Sequence, residues 1–307
     1  MMERKVRKFI HFVMIPFTGV GIGTASRRPN WYKERIEIFK DYTLKSLLNQ
    51  ENRNFILWIS FTYREKRHPL IAELSHYLKS VGIEYIFTFN GLMYWDDKFS
   101  GNIMDRIWNC GRVVRGCWRN NTWKDLFPSL KEILYNDKNS TLKERIGKSL
   151  DIIRPHFKDV DLVYLTRLDS DDMLHKLAIK EIQNALLPCE IFVFDEGFIY
   201  NKDTNELASY HPQTNPPFYT IVFSGDEFFD ADKHLQKYKG YKSHEDIRKL
   251  FIPCYLPDYR YCVLTHNPKN QISTIWNHPF RGEIIKDEKQ KRLILNNFRY
   301  EFANNDY

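Results

Sequence analysis

The chain of 307 residues contains no run of the ~18 apolar residues that a membrane-spanning helix requires, so no transmembrane segment is expected. It has no C-x-x-C pair. Its cysteines, Cys110, Cys117, Cys189, Cys254 and Cys262, are odd in number and widely spaced, which argues against a cysteine metal site and for free thiols in a reducing cytosol. An arginine-rich tail, zinc-finger spacing and RNA-binding signatures are also missing, so no nucleic-acid partner is expected. There is no internal repeat, low-complexity tract or interdomain linker. Gly19-Val20-Gly21-Ile22-Gly23 lacks the G-x-G-x-x-G spacing that leads into an apolar helix, and reads as a loop rather than a dinucleotide fingerprint.

What is present is a globular balance. Apolar residues make up 43% and charged residues 28%, enough to bury a sizeable core. The net charge, 46 − 39 = +7, favours anionic partners such as nucleotide diphosphates, lipid phosphates and membrane headgroups. Aromatic residues reach 15%; most serve core packing, and sugar-binding clefts use the same faces. The basic start and the apolar stretch Phe9–Phe17 loosely mimic a signal peptide, but His11 interrupts the stretch and Pro16 ends it, so a buried first strand is the better reading. A cytoplasmic protein is expected, with peripheral association at the inner face of the membrane as a setting.

Hydrophobic periodicity organises the chain. Residues 9–17, 54–61 and 84–89 read as short buried strands, with helical spacing over 31–49 and 70–80 between them. A β-α-β-α-β opening favours a parallel sheet flanked by helices, with ligands beyond the carboxyl ends of the strands. Pro16, Phe17 and Thr18 at the first strand end, with Arg28 for phosphate and Asp97 for base or ribose, are therefore donor-binding candidates. Helices are expected over 124–135, 141–157 and 176–187, and strands over 161–168, 191–194, 218–223 and 260–266, with a hairpin turn at 201–205. The stretch 90–123 gives no clear period, and the polar end reads as a helical or frayed tail over 286–307.

The strand 161–168 runs directly into Asp169-Ser170-Asp171-Asp172. A buried strand ending in three carboxylates is costly unless something offsets the charge. Residues i and i+2 of an extended turn project the same way, so Asp169 and Asp171 can converge on Mn2+ or Mg2+, which would offset charge on a departing diphosphate. The plain alternative is an acidic helix N-terminus with Asp or Ser as the cap. An EF-hand is excluded, because Leu174 and Lys180 stand where its glycine and glutamate belong. A haloacid-dehalogenase-type motif is excluded by Asp172 in place of Thr or Val, and by the mid-chain position.

The D-x-D after a series of β/α units resembles the GT-A glycosyltransferases. The run Leu165-Thr166-Arg167-Leu168-Asp169-Ser170-Asp171-Asp172 is similar to the rhamnosyltransferase family of that fold. So are the helix ending in Ser46-Leu47-Leu48-Asn49-Gln50, the strand opening Asn54-Phe55-Ile56-Leu57-Trp58, the segment Asn215–Thr220 and Thr265-His266-Asn267. The resemblance spans roughly 9–275 and departs from the family at Gly19–Arg28, which is longer and richer in glycine. It implies an α/β GT-A fold with a mostly parallel central sheet flanked by helices. One catalytic domain would cover 1–285, with a donor half of about 1–172 and an acceptor half of about 173–285. It further implies His266 as a third metal ligand beside Asp169 and Asp171, and Asp246 or Glu245 as the base that deprotonates the acceptor hydroxyl. Asp172 would orient donor sugar hydroxyls. Arg167 would contact donor phosphate, hold the carboxylates or form a structural ion pair.

The expected function is thus a metal-dependent glycosyltransferase. It would move a sugar, rhamnose by resemblance, from a nucleoside-diphosphate donor to a glycan or lipid-linked acceptor in polysaccharide assembly. Two other classes stay open: an inactive carbohydrate-binding module of the same fold, and a nucleotidyltransferase or phosphatase.

Overall fold

A computed structural model describes residues 8–18, 31–92, 103–121, 123–131, 141–157, 159–185, 189–212, 218–239, 247–266, 276 and 280–299. The chain opens on β1 (Phe9–Pro16) and α1 (Trp31–Ile38), which continues through a π-helical stretch (Phe39–Leu44) into α2 (Lys45–Leu48). Then come β2 (Ile56–Ser60), α3 (Pro69–Ser80) and β3 (Tyr85–Thr88). Helices α4 (Ile103–Asn120), α5 (Leu126–Lys131) and α6 (Leu142–Ile153) lead to β4 (Leu162–Arg167). They are followed by β5 (Met173–Leu174), α7 (Ala178–Asn184), β6 (Ile191–Phe194), β7 (Gly197–Asn201) and β8 (Glu206–Tyr210). The rest comprises β9 (Tyr219–Ser224), α8 (Gly225–Phe229), α9 (Ala231–Lys237), α10 (Ile247–Leu250), β10 (Cys254–Leu256), β11 (Tyr261–Thr265), β12 (Arg281–Ile284) and α11 (Glu288–Leu295).

The class is α/β, with a mostly parallel central sheet and flanking helices. The chain forms two compact units, each built from separate segments. The first takes Met1–Ile36, Ile56–Leu165 and Val222–Leu250. Its strands lie in the order β9-β4-β1-β2-β3, with β1 parallel to β2 and β2 parallel to β3. Strands covered on both faces are nearly continuous apolar runs rather than alternating ones, as β1 (FIHFVMIP) and β2 (ILWIS) are, with His11 and Ser60 as their buried polar exceptions. Phe12 has no exposed surface and stacks on Phe228 at 5.5 Å, with Phe157 and Trp58 edge-on. The indole nitrogen of Trp58 donates to Thr88 Oγ1 at 2.9 Å. A Cβ on Gly225 would stand 2.0 Å from the Val160 carbonyl oxygen, so only glycine lets α8 start against the β4 entry.

Two histidines in this unit are buried as neutral rings. Burial pushes His11 down to about 3. Burial likewise pushes His234 down to about 4, opposed by its contact with the Phe228 carbonyl at 2.9 Å. Both folded values lie below the ordinary 6.5, so between 6.5 and about 4 the unfolded chain holds protons that the folded chain does not. Their contribution is complete above that window and falls as pH drops through it, roughly tenfold in the folding constant per pH unit for each ring. Urea midpoints near pH 7 and about pH 5 should therefore differ, and His234→Phe should reduce the difference.

The second unit takes Glu37–Phe55, Thr166–Ile221 and Phe251–Tyr307. Here β10 pairs parallel with β6, and β6 antiparallel with β9. A five-stranded sheet, β12-β8-β7-β11-β5, completes it. The β7–β8 hairpin turns at 201–205, where Asn201 Oδ1 accepts from the Asp203 amide at 3.0 Å and Asn205 takes a positive φ of 55°. Met173, Tyr200, Leu207, Cys262 and Leu264 share a core with Leu295 and Phe298. The stretch past 286 thus supplies helix α11 and two core side chains.

One expectation needs correcting. Cys189 and Cys254 form a disulfide, so the thiols are free only at Cys110, Cys117 and Cys262. The partners lie 65 residues apart in sequence and meet because β10 lies beside β6, a pairing that spacing alone does not reveal. Cysteine usage therefore no longer argues for a reducing compartment. The stretch 90–123 contains the 18-residue helix α4. Gly111 and Gly116 lower its propensity, but its apolar and charged residues separate strongly at helical spacing, so the period is present in the sequence.

Candidate functional site

The acidic turn belongs to the second unit. β4 delivers Thr166 and Arg167, buried at 1% and 3% exposure, and Thr166 Oγ1 lies 2.6 Å from Thr220 Oγ1. The chain then reverses, the Asp172 amide donating to the Asp169 carbonyl at 3.3 Å, and enters β5. β5 pairs antiparallel with β11, Met173 opposite Cys262 and Leu174 opposite Tyr261. That register directs the acidic residues before β5 toward the residues that end β11.

The three carboxylates have different partners. Asp169, the most exposed of them at 29%, accepts from the guanidinium of Arg167 at 2.8 Å. Asp171 is completely buried, and its Oδ2 lies 3.1 Å from His266 Nε2. Asp172 Oδ1 accepts from the Leu264 amide at 3.0 Å, a side chain taking the place of the next ladder acceptor. This ends the β5–β11 ladder after two residues. Burial, and after it the Asp172 carboxylate, pushes the Cys262 thiol well above its ordinary range, so this cysteine is a neutral core residue and not a thiolate ligand.

The structure thus brings together Asp171 and His266, 95 residues apart in sequence, with Asp169 two residues away on the same turn. Among the described residues no group of three or more His, Cys, Asp or Glu side chains is arranged to hold a metal ion. The pair is a direct contact of hydrogen-bond length, and its oxygen and nitrogen are also donors that such an ion accepts. Cis ligands of an octahedral ion with bonds of ~2.1 Å stand about 3 Å apart, and Mg2+-type ions usually take few protein ligands beside water and substrate phosphate. Asp171 and His266 show that spacing at 3.1 Å, with one oxygen and one nitrogen donor.

Behind the turn is a clamp whose role the sequence does not disclose. Ser46 Oγ accepts from the Leu174 amide at 3.2 Å. Gln50 Nε2 donates to the His175 and Leu174 carbonyls at 2.9 and 3.4 Å, and its Oε1 accepts from the Ile179 amide at 3.2 Å. These are the polar ends of the Ser46–Gln50 motif, and they hold the strand that follows Asp172. Gln50→Leu should leave these buried backbone groups unpaired and cost about 1–3 kcal/mol, read as a lower urea midpoint. Turnover should fall more than stability, because β5 carries the turn.

The other predicted residues are placed as follows. Pro16, Phe17 and Thr18 lie at the end of β1 in the first unit. Phe17 packs on Phe61 and Tyr32. Thr18 Oγ1 donates to Glu65 at 3.0 Å and accepts from the Thr62 amide at 2.8 Å, and the Thr62 hydroxyl also donates to Glu65. Glu65, 3% exposed, is the acid that collects these strand-end hydroxyls, a role its sequence context does not show. Arg28, Asp97, Glu245 and Asp246 lie outside the described residues.

No family model and no curated protein matches the chain. Among solved structures it is similar to the inositol-1-phosphate CTP transferase from T. maritima, with a TM-score of 0.32, 11% identity, and coverage of 89% of this chain and 95% of that one. It is also similar to a protein from Desulfovibrio desulfuricans G20 provisionally named as a nucleotide-diphospho-sugar transferase, with a TM-score of 0.27, 12% identity, and coverage of 82% and 79%. At these scores neither likeness bears on what the chain does.

Proposed function

We propose that the chain is a metal-dependent glycosyltransferase of the GT-A type. It would move a sugar, rhamnose by its sequence resemblance, from a nucleoside-diphosphate donor to a glycan or lipid-linked acceptor. The observation that carries this reading is the contact between Asp171 and His266 at 3.1 Å, two of the three candidate metal ligands. A solvated N-cap gives no reason for a fully buried carboxylate to meet a distant histidine.

In this reading Asp171 and His266 would hold Mn2+ or Mg2+, and Asp169, which the described residues do not bring into a set of three with them, would join when the ion and donor are bound. The bound ion would offset negative charge on the departing diphosphate. Arg167 donates to the Asp169 carboxylate at 2.8 Å. Asp172 acts through the Leu264 amide, holding the turn against β11. Ser46 and Gln50 hold the other side of that strand. Asp246 or Glu245 would take the proton from the acceptor hydroxyl. Thr18 and its neighbours at the β1 end, with Arg28 and Asp97, would bind the nucleotide.

A thermal-shift screen of nucleotide sugars with and without Mn2+ tests this. Stabilisation by one diphosphate sugar, dependent on the metal, is the expected result. Release of pyrophosphate from a nucleoside triphosphate, with no response to any diphosphate sugar, would point to a nucleotidyltransferase instead. Sugar binding that ignores Mn2+ and yields no transfer would point to an inactive carbohydrate-binding module.

A further inference from the structure

Helix α4 carries two apolar faces. On one, Val113 and Cys117 are buried and pack, with Cys110, on Leu126 and Leu130 of α5. On the other, Met104, Ile107, Val114 and Trp118 are exposed, at 69%, 60%, 41% and 70%. With exposed Gly111 between them, these positions advance by alternate steps of three and four, so they form one stripe along the helix. The stripe runs about 21 Å at 1.5 Å per residue. Trp123 and Phe127, just beyond it, are exposed at 48% and 80%. Single exposed apolar side chains are ordinary, whereas four on one stripe of a helix, with two more in the turns that follow it, mark a candidate contact surface.

Charge decides what the row contacts. Between 103 and 131 the sequence places Arg106, Arg112, Arg115, Arg119, Lys124 and Lys131 against only Asp105 and Asp125. Arg115 and Lys124 are exposed beside the apolar row. A second copy of this face would set the same excess of positive charge against itself. An anionic lipid surface supplies the opposite charge together with an apolar layer. Tryptophan is favoured at headgroup level, and a helix with a basic polar side and a Trp/Phe/Ile/Met face lies in the plane of the interface. No helix among the described residues is long and apolar enough to cross a membrane, so the contact is with its surface.

We infer that α4 and the start of α5 form a membrane-docking face that seats on an anionic leaflet, with Trp118, Trp123 and Phe127 entering the boundary between headgroups and acyl chains. This goes beyond the transferase reading and does not depend on it, since lipid binding is measured without turnover.

The test is co-sedimentation of the full chain with vesicles of equal parts phosphatidylcholine and phosphatidylglycerol, and with phosphatidylcholine alone. The wild type should pellet with the mixed vesicles at least about tenfold more readily. Trp118→Glu with Phe127→Glu should lower that partition at least about tenfold while circular dichroism is unchanged, because both side chains are exposed in the folded protein. Arg115→Glu with Lys124→Glu should weaken it separately. Ile252→Glu, at an apolar residue 90% exposed in the second unit, should leave it unchanged. A wild type that stays in the supernatant with both vesicle types overturns the inference, as does a Trp118/Phe127 variant that pellets like the wild type. A wild-type dimer that Trp118→Glu converts to monomer, with no vesicle binding, would assign the face to self-association and also overturn it.

Discussion

Asp171→Asn is expected to lower sugar transfer about a hundredfold to a thousandfold while leaving the protein folded. The substitution keeps the shape of a fully buried side chain and one carbonyl oxygen. It removes the negative charge and one of the two acceptor oxygens, which are the properties a divalent ion uses. The amide can still hydrogen-bond His266, so the β4 end and β11 stay joined and secondary structure should be retained. Initial-rate assays with saturating donor, alongside far-UV circular dichroism, measure the two effects separately. His266→Ala should lower transfer in the same direction.

The largest expected loss of stability is at Phe12→Ala, about 3–5 kcal/mol, read as a reduced urea midpoint with an unchanged slope. Phe12 sits in the middle of β1 with no exposed surface, and it touches aromatic rings from β2, α8 and the segment after α6. Removing it opens a cavity lined by Trp58, Phe157 and Phe228, rigid rings that collapse poorly into the space. A change below about 1 kcal/mol would mean that these rings are not the core of the first unit.

Much of the fold was legible because strands covered on both faces leave dense apolar runs bounded by Pro, Gly and polar residues. The runs at 9–17, 54–61 and 84–89 contain β1, β2 and β3. Helix 31–49 was legible as helical spacing, but its π-helical stretch at Phe39–Leu44 was not, since one wide turn barely disturbs the period. α4 carries a strong helical period, which was legible in principle and is interrupted only by its internal glycines. The disulfide and β12 depend on which strands become neighbours, which local pattern does not carry.

The candidate site divides in the same way. Asp169 and Asp171 could be chosen from strand context and carboxylate spacing. His266 could be chosen only through resemblance, because nothing local ties a residue at 266 to one at 171. Ser46 and Gln50 were visible as a motif, yet their work is done on the backbone of β5 and shows only when the register is known. Asp172 looked like its neighbours in the sequence, and the structure distinguishes it by its bond to the Leu264 amide.

The most direct test of the metal-and-diphosphate site is calorimetric titration of nucleoside diphosphates into the wild type and Asp171→Asn, each with and without Mn2+. One diphosphate should bind the wild type only when Mn2+ is present, and Asp171→Asn should lose that binding. Equal binding by both proteins, or binding indifferent to Mn2+, would contradict the account.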